Sequence, residues 1–81
     1  MGEHSISNNI RRLRFNHNEM TQQELADKVG VTRQTIMAIE NEKYSPSLEL
    51  AFRIANTFGE PLEEVFIYDR QKDKIEKNTH C

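Results

Sequence analysis

The chain has 81 residues, 36% apolar and 30% charged, a balance that suits one small folded domain and argues against a disordered tract or a bilayer-spanning protein. Its 11 basic and 13 acidic residues leave a formal charge of −2, where nucleic-acid binders are usually basic. The single cysteine, Cys81, cannot form an intrachain disulfide, and no leader, lipidation or membrane-spanning pattern is visible, so the expected address is the cytoplasm.

Charge is unevenly placed along the chain: residues 1–45 carry six basic and six acidic side chains, and residues 46–81 carry five and seven. A positive face therefore requires folding to sort these groups in space. Residues 1–7 read as an N-terminal arm. After it, Ile10, Leu13, Arg14 and His17 share one helical face, with Ser7 or Asn8 as the cap. Phe15 falls on the opposite side, where it either packs beneath another element or stands exposed for a partner. His4 and His17 are expected to be solvated or cap-like.

Thr21 stands three residues before Glu24, the spacing of a capping box, and "QQELADKV" forms the helix body over about residues 22–29. Leu25, Ala26 and Val29 are its apolar residues, and Gly30 follows where a left-handed residue ends a helix. Thr32 caps a second short helix, "RQTIMAIE" over about residues 33–40. Ile36 and Ile39 point inward there, and Arg33, Gln34, Met37 and Ala38 largely outward.

Beyond the loop "NEKYSPS", Ser47 caps a helix from Leu48 to Phe58, stopped by Gly59 and Pro61. This helix is apolar on two sides, with Leu48, Ala51, Phe52 and Ala55 in one stripe and Leu50, Ile54 and Phe58 in another, which makes it the central helix. Pro61 opens a short last helix ending near Phe66. "FIYD" is aromatic and β-branched, and pairing of this segment with "HSIS" near the N-terminus would add a small terminal β element. The tail over residues 69–81 is polar and expected to fray or be disordered.

Two short capped helices joined by a tight turn, with Ala26, Gly30, Ile36 and Ile39 at fixed spacing, make a helix-turn-helix. Ala26 must be small for the second helix to cross above it, and Gly30 supplies the positive φ of the turn. With Ile36 and Ile39 buried against Leu25 and Val29, the residues Thr32, Arg33, Gln34, Met37 and Ala38 are presented together on the outside. A solvated helix face alone would account for "RQT", but the two caps and the four spaced positions favour a presented surface.

On "NIRRLR", "MTQQELADKVGVTRQTI", "AIENEKYSPSLELAFRIA" and "PLEEVF", the chain resembles the Cro/phage-repressor (XRE) family of transcriptional regulators, in its compact single-domain subgroup. The resemblance covers about residues 8–68. It implies an all-α, five-helix DNA-binding domain, usually a homodimer that represses by occupying a near-palindromic operator. Carried over by position, Arg33 and Gln34 would meet base edges, with Thr35, Met37 and Ala38 as lesser readers. Arginine bonds bidentately to guanine and glutamine to adenine, and alanine can offer only apolar contact, for example to a thymine methyl. The resemblance further implies phosphate contacts from Gln22, Thr32, Asn41, Lys43, Tyr44 and Ser45, with packing as the other role open to Tyr44. Glu42 departs from the glycine or neutral residue common at its position, and an acidic group there would weaken phosphate binding unless turned away. Arg14 and Glu40 resemble a structural ion pair of this fold. The turn between Arg14 and Thr21 is one residue longer than in many relatives.

A single small module reads few base pairs, so two copies one helical turn apart are expected. The second stripe of the central helix (Leu50, Ile54, Phe58) and the segment holding Pro61, Phe66 and Tyr68 are the expected dimer surface. The competing reading is a protein-interaction or antitoxin-like module on the same scaffold. No constellation for catalysis, metal, cofactor or small-molecule binding is visible in the sequence.

Overall fold

The structure, a computed structural model, describes residues 6–69. In chain order it contains β1 (Ile6–Asn8), α1 (Ile10–Asn16), α2 (Gln22–Val29), α3 (Arg33–Glu40), α4 (Leu48–Phe58), α5 (Leu62–Val65) and β2 (Phe66–Tyr68). Five helices with a small terminal strand pairing are the expected architecture. The described part of the expected tail is Asp69; residues 1–5 and 70–81, where the rest of the arm and tail fall, lie outside the described residues.

Local chemistry sets the helix ends. Thr21 accepts the Glu24 amide at 3.0 Å while the Glu24 carboxylate accepts the Thr21 amide at 2.8 Å, so the capping box is complete. Thr32 and Ser47 each accept a backbone amide three residues on, from Thr35 and Leu50. At the other ends Gly30 (φ 80°) and Gly59 (φ 67°) adopt the left-handed conformation. Pro61 sits just before α5 as its N-cap, and that helix stops at Val65, so Phe66 already belongs to the strand.

One core holds the fold together. Leu25, Ala26 and Val29 of α2 meet Ile36 and Ile39 of α3, and Ile10, Leu13 and Val65 close the far side. Because Ala26 is completely buried with only a methyl group, α3 packs closely on α2; α2 packs next most on α4. His17, at the end of α1, donates from Nδ1 to the Leu13 carbonyl at 2.9 Å and meets the Phe58 ring edge-on, so it is the cap-like histidine expected.

The termini meet in an antiparallel ribbon with Ile6 opposite Tyr68, Ser7 opposite Ile67 and Asn8 opposite Phe66. Strand β1 thus takes in Ile6 and Ser7, placed in the arm by sequence. Neither Ser7 nor Asn8 is the N-cap of α1; Asn9 holds that place without a side-chain cap bond, and the Oδ1 of Asn8, one residue earlier, accepts the Ile10 amide at 3.2 Å.

The dimer expectation needs correcting at α4. Leu50, Ile54 and Phe58 are buried within this one chain and leave nothing to offer a second copy. Leu48 and Phe52, from the other stripe, are instead 69% and 53% exposed. The apolar arc of α4 spans about 200° at 100° per residue, more than a core this small can cover. The side of that arc holding Leu50, Ile54 and Phe58 is turned inward, and its far margin is left in solvent. Phe15 is exposed as well, at 66%.

Candidate nucleic-acid interface

Helix α3 begins with a capped turn that holds its first side chains away from the core. Thr32 is committed to that cap, and its Oγ1 also lies 3.0 Å from the Thr35 hydroxyl, which occupies part of the hydrogen-bonding capacity of both. Arg33 and Gln34 are exposed, and among the described residues neither side chain has a hydrogen-bond or ion-pair partner. Two long polar side chains with bidentate capacity are thus presented to solvent on a capped helix start, uncommitted to other groups among the described residues. Met37 and Ala38 lie further along and are half-buried, so they are less available than the outward reading implied.

Beneath this face, an ion pair sets the angle of α3. Arg14 grips Glu40 with two nitrogens, Nε to Oε2 at 2.7 Å and Nη2 to Oε1 at 3.1 Å, and donates from Nη1 to the Met20 carbonyl at 2.8 Å. The side chains are only 14% and 7% exposed, so this is a bidentate, largely desolvated pair of the kind that orients elements. It also neutralises an acidic residue at the end of α3. Gln22, at the start of α2, donates from Nε2 to the Glu40 Oε1 at 3.2 Å. A carboxylate only accepts, so the amide nitrogen must face it, and the second N–H on that nitrogen remains for an outside acceptor. Gln22 therefore braces α3 while retaining a donor.

The loop after α3 supplies a second group of exposed polar residues: Asn41, Lys43, Tyr44 and Ser45. Glu42 lies between them with φ 62°. Its amide donates to the Ile39 carbonyl at 3.0 Å and that of Lys43 to the Ala38 carbonyl at 2.9 Å, the two bonds of a Schellman turn. Glu42 occupies the left-handed position of that turn, the place glycine holds at the ends of α2 and α4. The departure noticed in the sequence is thus a backbone departure as well as a charge.

The turn after α1 has a similar signature. Asn18 and Glu19 are both left-handed, with φ 59° and 53°, in the segment that reads as one residue longer than usual. Two acidic groups elsewhere are engaged locally: Glu49 pairs with Arg53 at 2.8 Å, and Asp27 accepts from Gln23 at 2.9 Å. Arg53 additionally donates to the Val29 carbonyl at 3.3 Å, closing the end of α2.

Of the residues expected at a dimer surface, Pro61 and Tyr68 are exposed and Phe66 is half-buried against the core. Leu48 and Phe52 belong to the first apolar stripe of α4, not to the stripe expected at the dimer surface. The signal available was their place at the edge of the α4 polar arc, next to Glu49 and Arg53, where incomplete burial begins. Asn8, whose side chain reaches α3, was recognised only as a cap. Among the described residues no helix is long and apolar enough to cross a membrane.

Comparison with known proteins agrees with this geometry. A family model described as helix-turn-helix (HTH_3) matches residues 10–65. An HTH-type transcriptional regulator of Methanocaldococcus jannaschii is 53% identical over 64 residues, covering 79% of this chain and 96% of that protein. The cryptic phage CTXphi transcriptional repressor RstR of Vibrio cholerae is 36% identical over 60 residues, covering 74% of this chain and 53% of RstR. Among solved structures, a hypothetical transcription factor from Neisseria superposes with a TM-score of 0.64 at 23% identity, covering 82% of this chain and 75% of that one.

Proposed function

The chain belongs to the HTH_3 helix-turn-helix family, XRE type, of DNA-binding transcriptional regulators and is not an enzyme, and from that premise we propose that it is a repressor occupying a near-palindromic operator as a homodimer. Helix α3 enters the major groove. Arg33 and Gln34 read base edges, with Thr35, Met37 and Ala38 making shorter contacts. Gln22, Thr32, Asn41, Lys43, Tyr44 and Ser45 hold the phosphates on either side, and the ion pair of Arg14 with Glu40 keeps α3 at its angle.

The observation that carries this reading is the pair of exposed side chains, Arg33 and Gln34, with no protein partner among the described residues, at the capped start of a braced helix. The match to a phage repressor supports the repressing role. Arg33 and Lys43 bring positive charge to this face, and Glu40 is neutralised by Arg14, so the overall charge of −2 is no obstacle to a local attraction for phosphate. For the second copy, the exposed apolar groups of α4 (Leu48 and Phe52) join Pro61, Phe66 and Tyr68 as the proposed contact surface.

Selection of duplexes from a random pool tests the proposal. The wild type is expected to enrich a near-palindrome with half-sites about ten base pairs apart, and Arg33→Ala with Gln34→Ala to lose or relax it. Absence of enrichment by folded protein would transfer the weight to a protein-interaction module. A monomeric mass on the enriched duplex would remove the dimer.

A further inference from the structure

The first strand and the end of α3 are joined by one side chain. The Asn8 Nδ2 donates to the Ile39 carbonyl at 2.9 Å, across 31 positions of sequence, while its Oδ1 accepts the Ile10 amide at 3.2 Å. Chemistry leaves only one orientation for this amide, because an N–H must meet Oδ1 and a carbonyl must meet Nδ2. The Ile39 carbonyl is also the acceptor for the Glu42 amide, so both of its lone pairs are used, one by Asn8 and one by the Schellman turn. Asn9 fastens the same segment to α5, its amide donating to the Val65 carbonyl at 2.9 Å and its Nδ2 to the Glu64 carbonyl at 3.0 Å.

Resting on the DNA-binding reading above, we infer that Asn8 is a positioning residue for DNA contact: its amide ties the terminal β ribbon to the end of α3 and thereby fixes the loop of residues 41–45 that meets the phosphates. That loop needs such a tie. Glu42 is left-handed without being glycine, and a backbone of that kind persists only where its surroundings over-determine it. The ribbon and the loop also share a crevice, in which Glu42, Tyr44 and Pro46 face Ile6 and Phe66. Strand pairing of Asn8 with Phe66 holds the amide donor in register with the Ile39 carbonyl. A shift of the ribbon by one residue would turn Asn8 to the other face and release the loop.

The test uses the full chain with Asn8→Asp and Asn8→Ala. Asn8→Asp keeps an acceptor for the Ile10 amide but places an acceptor against the Ile39 carbonyl, so it severs only the link to α3. Asn8→Ala severs both links and adds no charge. Two readouts are taken at a temperature where circular dichroism shows every variant folded. The first is amide exchange in the free protein, where Glu42 and Lys43 are expected to exchange faster in both variants by about fivefold more than any acceleration that Leu25 and Ala55 show from the change in global stability. The second is affinity for the duplex that the wild type enriches, expected to fall about fivefold in both variants, with a shallower salt dependence from the loosened Lys43 contact.

Unchanged exchange at Glu42 and Lys43, or a uniform change across α2 and α4, overturns the inference, as does faster loop exchange with wild-type affinity. If the wild type enriches no duplex, the DNA-binding reading fails; the exchange readout then decides whether Asn8 positions the loop, and a role in DNA contact is withdrawn.

Discussion

Replacing Glu42 by glycine should make the protein both more stable and a tighter DNA binder, for two separable reasons. Glu42 holds φ at 62°, where a residue with a Cβ is strained by about 1–2 kcal/mol. Glycine removes that strain but loses more conformational freedom on folding, an offset of roughly 0.5–1 kcal/mol. Some half-buried stem contact with the ribbon crevice is lost as well. The net expectation is a gain of about 0.5 kcal/mol, or a rise of roughly 2–4 °C in Tm for a domain of this size. Separately, removing a carboxylate about 7 Å from a phosphate in water relieves roughly 0.6 kcal/mol, close to threefold in Kd at low salt and fading as salt is added. Thermal unfolding followed by circular dichroism measures the first effect, and titration of the enriched duplex at two salt concentrations measures the second. Glu42→Gln separates them, since it removes the charge and keeps the left-handed strain: its Tm should stay near the wild type while its affinity rises. A Tm for Glu42→Gly at or below that of the wild type, or an equal rise for Glu42→Gln, would refute the backbone argument. An affinity gain that persists undiminished at high salt would refute the electrostatic one.

Other perturbations address the remaining parts of the site. Arg33→Ala and Gln34→Ala should each cost about 1–3 kcal/mol of discrimination at one base position with little change in Tm, read by competition between the enriched duplex and its single-base variants. Lys43→Ala should weaken binding evenly across sequences and lower the slope of log K against log salt by about 0.9, measured by titration over a salt series. Arg14→Met leaves the Glu40 carboxylate largely buried without its partner and should destabilise by about 3–5 kcal/mol, whereas Arg14→Met with Glu40→Leu should recover much of that in urea unfolding. At Gly30 the nearest atom to an added Cβ is the Arg53 Nη1 at 3.8 Å, so Gly30→Ala meets no clash, yet φ of 80° should still make it destabilising by about 1 kcal/mol.

What the sequence determined by itself is the local grammar of the fold. The capping box of Thr21 with Glu24, the caps at Thr32 and Ser47, and the left-handed glycines 30 and 59 each act within a few residues, so the helices could be placed from spacing alone. The small Ala26 and the inward Ile36 and Ile39 then force Arg33 and Gln34 outward, because a helix has only one side to bury in so small a core. The ion pair of Arg14 with Glu40 was legible only through resemblance, since nothing local connects positions 26 residues apart.

Only the tertiary structure decided the rest. On α4 both stripes are apolar, and the packing of α2 and α5 selects Leu50, Ile54 and Phe58 for the interior while leaving Leu48 and Phe52 in solvent. The left-handed turn at Glu42 runs against its residue type, and the geometry that holds it there comes from other elements. Asn8 reads as an ordinary helix cap until the register of β1 with β2 brings its amide to the Ile39 carbonyl. Caps and periodicity are encoded over a turn or two of chain, whereas the choice among equally apolar faces, a strained loop and a long-range amide depends on contacts that exist only once the elements have packed.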